Sequence, residues 1–87
     1  MSYIIELRRQ ALERLRKMNR RDHDSVLAAL SVIENQPRPS GVIKLSGYDL
    51  WRVRVGDFRL IYSIDDTAKI VTVRRLTRRN EDSYDGL

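Results

Sequence analysis

The sequence contains no cysteine. Disulfides, thiolate metal sites and cysteine nucleophiles are thereby excluded. His23 is the single histidine, so a histidine-based metal site lacks ligands. There is no glycine-rich phosphate loop, and no cofactor or metal is expected. No apolar run approaches the ~20 residues that cross a bilayer, and Met1–Leu7 is too short for a signal-peptide core. The expectation is a cytoplasmic protein with no membrane association. With 87 residues there is room for one domain, 1–87, and little room for an enclosed pocket. Function is therefore expected on an open face.

What is abundant is arginine. Lys+Arg number 17 against 12 Asp+Glu, for a net charge of +5. Lysine stands only at Lys17, Lys44 and Lys69. Arginine is the residue suited to bidentate phosphate contact. The basic balance points to nucleic acid or to an acidic segment of a partner protein.

The chain divides at Gln36-Pro37-Arg38-Pro39-Ser40-Gly41, a loop between a helical half and a strand half. Tyr3-Ile4-Ile5 reads as a short strand. Ala11, Leu15 and Met18, with Leu12 beside them, repeat at helical spacing. Asn19–Asp22 reads as the connection, with Asp22 or Asp24 capping a second helix. Val26, Leu30 and Ile33 carry that helix's apolar face. After Gly41 the period becomes two. Strands are expected at Val42–Leu45, at Trp51–Val55, from Phe58 to Ile64, and from Ile70 to Leu76. The tail from about Asn80 to Leu87 is polar and is expected to be flexible. The fold class is α+β: a strand, an antiparallel two-helix hairpin, then an antiparallel β-meander packed on the helices. Trp51, Val53, Val55, Phe58, Leu60 and Tyr62 form the expected inner face.

The opposite face then carries Arg52, Arg54 and Arg59. Gly56-Asp57 reads as a tight hairpin turn, which pairs Val55 with Phe58, Arg54 with Arg59 and Arg52 with Ile61. Like charges directly opposite across a sheet destabilise it. An anion between them removes the repulsion, and each guanidinium offers paired donors to phosphate oxygens. A plain solvated face is the alternative. Arg74, Arg75, Arg78 and Arg79 form a second cluster where the last strand ends. The pairing register that would bring Arg78 or Arg79 to the strip is open.

Leu50-Trp51-Arg52-Val53-Arg54-Val55-Gly56-Asp57-Phe58-Arg59-Leu60-Ile61-Tyr62 resembles the central motif of the RelE/ParE toxin superfamily. Asn35-Gln36-Pro37-Arg38-Pro39 and Lys44-Leu45-Ser46-Gly47 resemble its loop and following strand. Arg78-Arg79 falls where its C-terminal basic motif falls. The resemblance covers nearly the whole chain and implies a RelE-like fold and the toxin of a type II toxin–antitoxin pair. It implies an endonuclease that cuts mRNA in the ribosomal A site: the 2′-hydroxyl attacks the adjacent phosphate and the 5′-oxygen leaves. By the same resemblance the catalytic positions are Arg52, Arg54, Arg59, Arg78 and Tyr84. Lys44, Arg74, Arg75 and Arg79 are expected to contact RNA beside them. The implied partners are a cognate antitoxin, the ribosome with its mRNA, and operator DNA through the antitoxin complex alone. A ParE-like gyrase inhibitor and an inactive antitoxin-binding member share the fold and are the alternatives. The chain departs from RelE-type members in having arginine at 52 and 54 where lysine occurs, and Thr77 where some carry histidine. Arginine stays protonated and is a poor general base. The reaction needs both a base and an acid, and Tyr84 is the expected group for one of these two roles.

Overall fold

A computed structural model describes residues 2–80. Tyr84, and the rest of the expected tail beyond Asn80, lie outside the described residues. The chain runs through β1 (Ile4–Leu7), α1 (Arg9–Arg16), α2 (Arg20–Asn35), β2 (Ile43–Lys44), β3 (Trp51–Val55), β4 (Phe58–Asp65) and β5 (Ile70–Arg78).

Both helices form on their apolar spacing. Ala11 and Leu15 of α1 are buried, as are Val26, Leu30 and Ile33 of α2. The start of α2 corrects the sequence expectation. Asn19, not Asp22 or Asp24, is the cap: its Oδ1 accepts the Asp22 N–H at 2.8 Å. Asparagine caps as well as aspartate does, so the helix begins one turn earlier. Asp22 then sits in the first turn, where the helix dipole favours a carboxylate.

The five strands make one sheet in the order β1-β5-β4-β3-β2. From β2 to β5 the pairing is antiparallel, while β1 joins β5 in parallel at the far edge. The helices connect β1 to β2 and cover one sheet face. The core lies between, where Val55, Phe58, Leu60, Tyr62, Val71, Val73 and Leu76 meet the buried residues of α1 and α2. Trp51 and Val53 pack at its margin.

Beyond Leu7, β5 outruns β1. There the Gln10 side chain takes the place of a strand. Its Oε1 accepts the Leu76 N–H at 2.9 Å, and its Nε2 donates to the Leu76 carbonyl at 3.1 Å. A side-chain amide presents the same donor and acceptor pair as a peptide. It thus closes the β5 edge next to the end that carries Thr77, Arg78 and Arg79.

Candidate phosphate-binding face

The hairpin builds the site. Gly56 has φ +58°, and Asp57 is not among the positive-φ residues. Glycine with positive φ at the first loop position is the type II′ pattern, which matches strand twist in a two-residue loop. The register is Val55 with Phe58, Arg54 with Arg59, Val53 with Leu60, and Arg52 with Ile61. Arg54 and Arg59 thus stand directly opposite each other, with Cβ atoms about 5 Å apart by strand geometry. Among the described residues neither has a carboxylate partner. Arg52, Arg54 and Arg59 line one open cleft of about 320 Å³ with Ser40, Gly41, Ile43 and Val53.

Two buried apolar residues lie on this face and were not singled out from sequence. Ile61 is fully buried and Leu50 nearly so, yet neither belongs to the main core. Arg52 and Arg75 flank Ile61 across the strands, and Arg59 lies two positions along. Long arginine stems cover apolar surface while their heads reach water. The strip therefore has a dry floor, which strengthens charge interactions above it. The signal was available: alternation places Leu50 in line with Arg52 and Arg54, and Ile61 in line with Arg59.

The pairing of β5 sorts the second arginine cluster. Arg59 pairs with Thr77, and Ile61 with Arg75. Arg75 therefore lies on the strip's face. Arg78 pairs with Phe58 and stands over its ring, 5.0 Å from the centroid. It lies on the helix side of the sheet, lining a second cleft with Arg14, Lys17 and Met18. Arg79 donates its backbone N–H to the Asp57 carbonyl at the hairpin tip. Between Ile61 and Tyr62 the register shifts, which leaves Arg74 as the bulged residue of β5. Its Nε is buried with no hydrogen-bond partner among the described residues. Lys44 pairs with Trp51, lies over that ring at 5.0 Å, and bridges to Asp49 at 3.2 Å. It too stands on the side away from the strip. The fold therefore gathers Arg52, Arg54, Arg59 and Arg75 on one face and sends Lys44 and Arg78 to the other.

The loop that walls the cleft is pinned from behind. The Tyr62 hydroxyl donates to the Pro37 carbonyl at 2.7 Å. Arg38 grips Asp66 through Nη2 at 2.9 Å and Nη1 at 3.3 Å, and Tyr3 donates to the same carboxylate at 2.6 Å. Arg38 also stacks on Trp51 at 5.0 Å. Burial pushes the Tyr62 hydroxyl up to about 12, against the lowering effect of the Arg38 charge, so it remains a donor. The Arg38 and Tyr3 hydrogen bonds lower the Asp66 carboxyl to about 2. A carboxylate held below its unfolded value stabilises the fold fully above about pH 4, and the contribution fades as pH falls towards 2. Urea titrations of the wild-type chain and Asp66→Asn should therefore differ at pH 6 and converge near pH 2.

Residues 5–83 match the family model for the ParE toxin of the type II toxin-antitoxin system parDE. The chain belongs to this ParE toxin family. Among curated proteins, none matches the sequence. Solved structures agree on the fold of this RelE/ParE-superfamily toxin. A chain of the archaeal RelE–RelB complex from Pyrococcus horikoshii is 30% identical, with a TM-score of 0.83, covering 93% of this chain and 99% of that one. A chain of the intact Escherichia coli RelBE toxin–antitoxin complex is 22% identical, with a TM-score of 0.79 and coverage of 92% and 100%. The YoeB/ParE toxin from Agrobacterium tumefaciens is 12% identical, with a TM-score of 0.76 and coverage of 86% and 96%. The latter two speak for the fold alone. In this ParE-family toxin, as described over 2–80, no helix is long and apolar enough to cross a membrane.

Proposed function

We propose that the toxin is a ribosome-dependent mRNA endonuclease, and that Arg54 and Arg59 hold the scissile phosphate. The observation that carries this is the like-charge pair set directly opposite across β3 and β4, without a carboxylate among the described residues. In-line attack by the 2′-hydroxyl builds negative charge on the phosphate as the P–O2′ bond forms and the P–O5′ bond breaks. Fixed donors aimed at that charge lower the barrier, by about 10²–10³ in rate each. Arg52 lines the same cleft and adds positive charge. None of the three takes a proton from the 2′-hydroxyl, so the clamp orients and stabilises while other groups move protons. Tyr84 carries one of the two proton transfers in this reading, either removing the 2′-hydroxyl proton or protonating the leaving 5′-oxygen. A cognate antitoxin would silence the toxin by laying an acidic segment over the same face. The RelE–RelB and RelBE relatives, solved as complexes, support an antitoxin as partner.

A ParE-like gyrase inhibitor is the second reading, favoured by the family model itself and by Thr77 at the histidine position. One experiment separates the two. The chain is expressed without its antitoxin, and RNA ends are mapped on translated messages. Cuts within codons, lost in Arg59→Ala, are the expected result. Intact mRNA with trapped gyrase–DNA breaks, or unaffected growth, would sink the nuclease.

A further inference from the structure

The space in front of Arg54 and Arg59 is one-sided. Towards β5 the row continues to Thr77, which is only 5% exposed, so that flank is closed. Towards β2 the row runs out, because β2 begins only at Ile43. The chain there is Ser40 and Gly41, which line the same cleft as the arginines. A side chain at Gly41 would meet nothing within 4 Å, so the space is open. Ile43, paired with Arg52, keeps 48% of its surface exposed beside this space. Ser40 is exposed next to it.

This flank is built to hold its shape. The Tyr62–Pro37 and Arg38–Asp66 contacts fix the loop two and three residues before Ser40. The Val42 N–H donates to the Pro39 carbonyl at 3.1 Å and closes the turn around Ser40 and Gly41. Two strand spacings, about 10 Å, separate this wall from β4. A phosphate held between Arg54 and Arg59 thus has room for an attached nucleoside on the β2 side and none towards Thr77.

We infer that Ser40, Gly41 and Ile43 form a nucleobase subsite beside the phosphate clamp. This rests on the nuclease reading above and adds where base preference is set. Ile43 supplies an apolar platform for the base face. Gly41 leaves room for the ring. The Ser40 hydroxyl, which both donates and accepts, reads the base edge. Arginine contacts to phosphate carry no sequence information, so the wall is the part of the cleft able to choose.

The test maps cut sites on translated messages for the wild-type chain and for Ser40→Ala, Ser40→Thr, Ile43→Ala and Ile43→Leu. Ser40→Ala and Ile43→Ala are expected to change the relative use of preferred and disfavoured bases about three- to tenfold, the effect of one net hydrogen bond or comparable contact. Cutting at the best codons persists. Ser40→Thr and Ile43→Leu keep the hydroxyl and the apolar platform, and restore most of the original preference. Thermal melts of each variant confirm folding, which these exposed positions should not disturb. An unchanged preference in both alanine variants, while Arg59→Ala still abolishes cutting, overturns the subsite and leaves the nuclease standing. A uniform loss of cutting at all codons also overturns it, since a purely structural wall behaves that way. A wild-type chain that cuts no mRNA removes the nuclease and the subsite together.

Discussion

Arg54→Ala is expected to lower cleavage about 100- to 1,000-fold while leaving the protein as stable as before, or slightly more so. These opposite signs follow from one feature. In the apo fold the Arg54–Arg59 pair is a liability, because like charges directly opposite cost roughly 0.2–1 kcal/mol. Arg54 is exposed, so its truncation sacrifices little packing. Removing it should raise the thermal midpoint by up to about 5 °C, given the size of the domain. Arg59 is half-buried over the apolar floor, so Arg59→Ala trades relief of repulsion against lost stem packing and should be near neutral. Arg54→Lys should recover only part of the activity, since an ammonium cannot offer the paired planar donors. Inorganic phosphate supplies an independent check: it should raise the midpoint of the wild-type chain more than that of Arg54→Ala. A variant that loses activity and stability together would mean that the pair holds the hairpin rather than a phosphate.

The arginine strip was legible in the sequence because a two-residue loop leaves no freedom of register. Once Gly56-Asp57 is read as the turn, parity alone pairs Arg54 with Arg59. The order of elements was legible for a similar reason, since the change of period from helical to alternating is local. The second arginine cluster was not. Four residues, Asp66–Lys69, separate β4 from β5, and the bulge at Arg74 then shifts the pairing by one. Which face Arg78 occupies depends on that shift, and no local signal announces it. The parallel docking of β1 on β5 is likewise non-local, joining Ile4 to Ile70 across most of the chain. So is the bidentate grip of Arg38 on Asp66. In the sequence Asp66 falls between two expected strands, 28 positions from Arg38, and only the folded sheet brings the two together. The parts read early are those in which a few adjacent residues dictate geometry. The parts read late determine what surrounds the clamp.

Those surroundings give Tyr62 the largest expected effect on stability. The ring is fully buried in the core, and its hydroxyl leaves the core to hold the Pro37 carbonyl. Tyr62→Ala removes ring and tether together and should cost about 3–5 kcal/mol. A domain of this length has on the order of 4–13 kcal/mol in total, so this variant should lose from about a quarter to nearly all of its stability, read as the largest fall in urea midpoint of any substitution named here. Tyr62→Phe isolates the tether. It keeps the ring and leaves the Pro37 carbonyl without its donor, at a cost of about 1–3 kcal/mol by urea unfolding. The β3–β4 ladder still holds Arg54 and Arg59 opposite each other, so the clamp survives. What loosens is the loop ahead of Ser40. Cleavage by Tyr62→Phe should therefore persist while its base preference blurs, unlike the near-total loss expected for Arg54→Ala. Arg38→Ala loosens the same loop from its other anchor, so the two substitutions should not add. A double-mutant cycle on base preference, rather than on overall rate, reads that coupling. Strict additivity would mean that the two anchors restrain different things, and that Tyr62 serves the core alone.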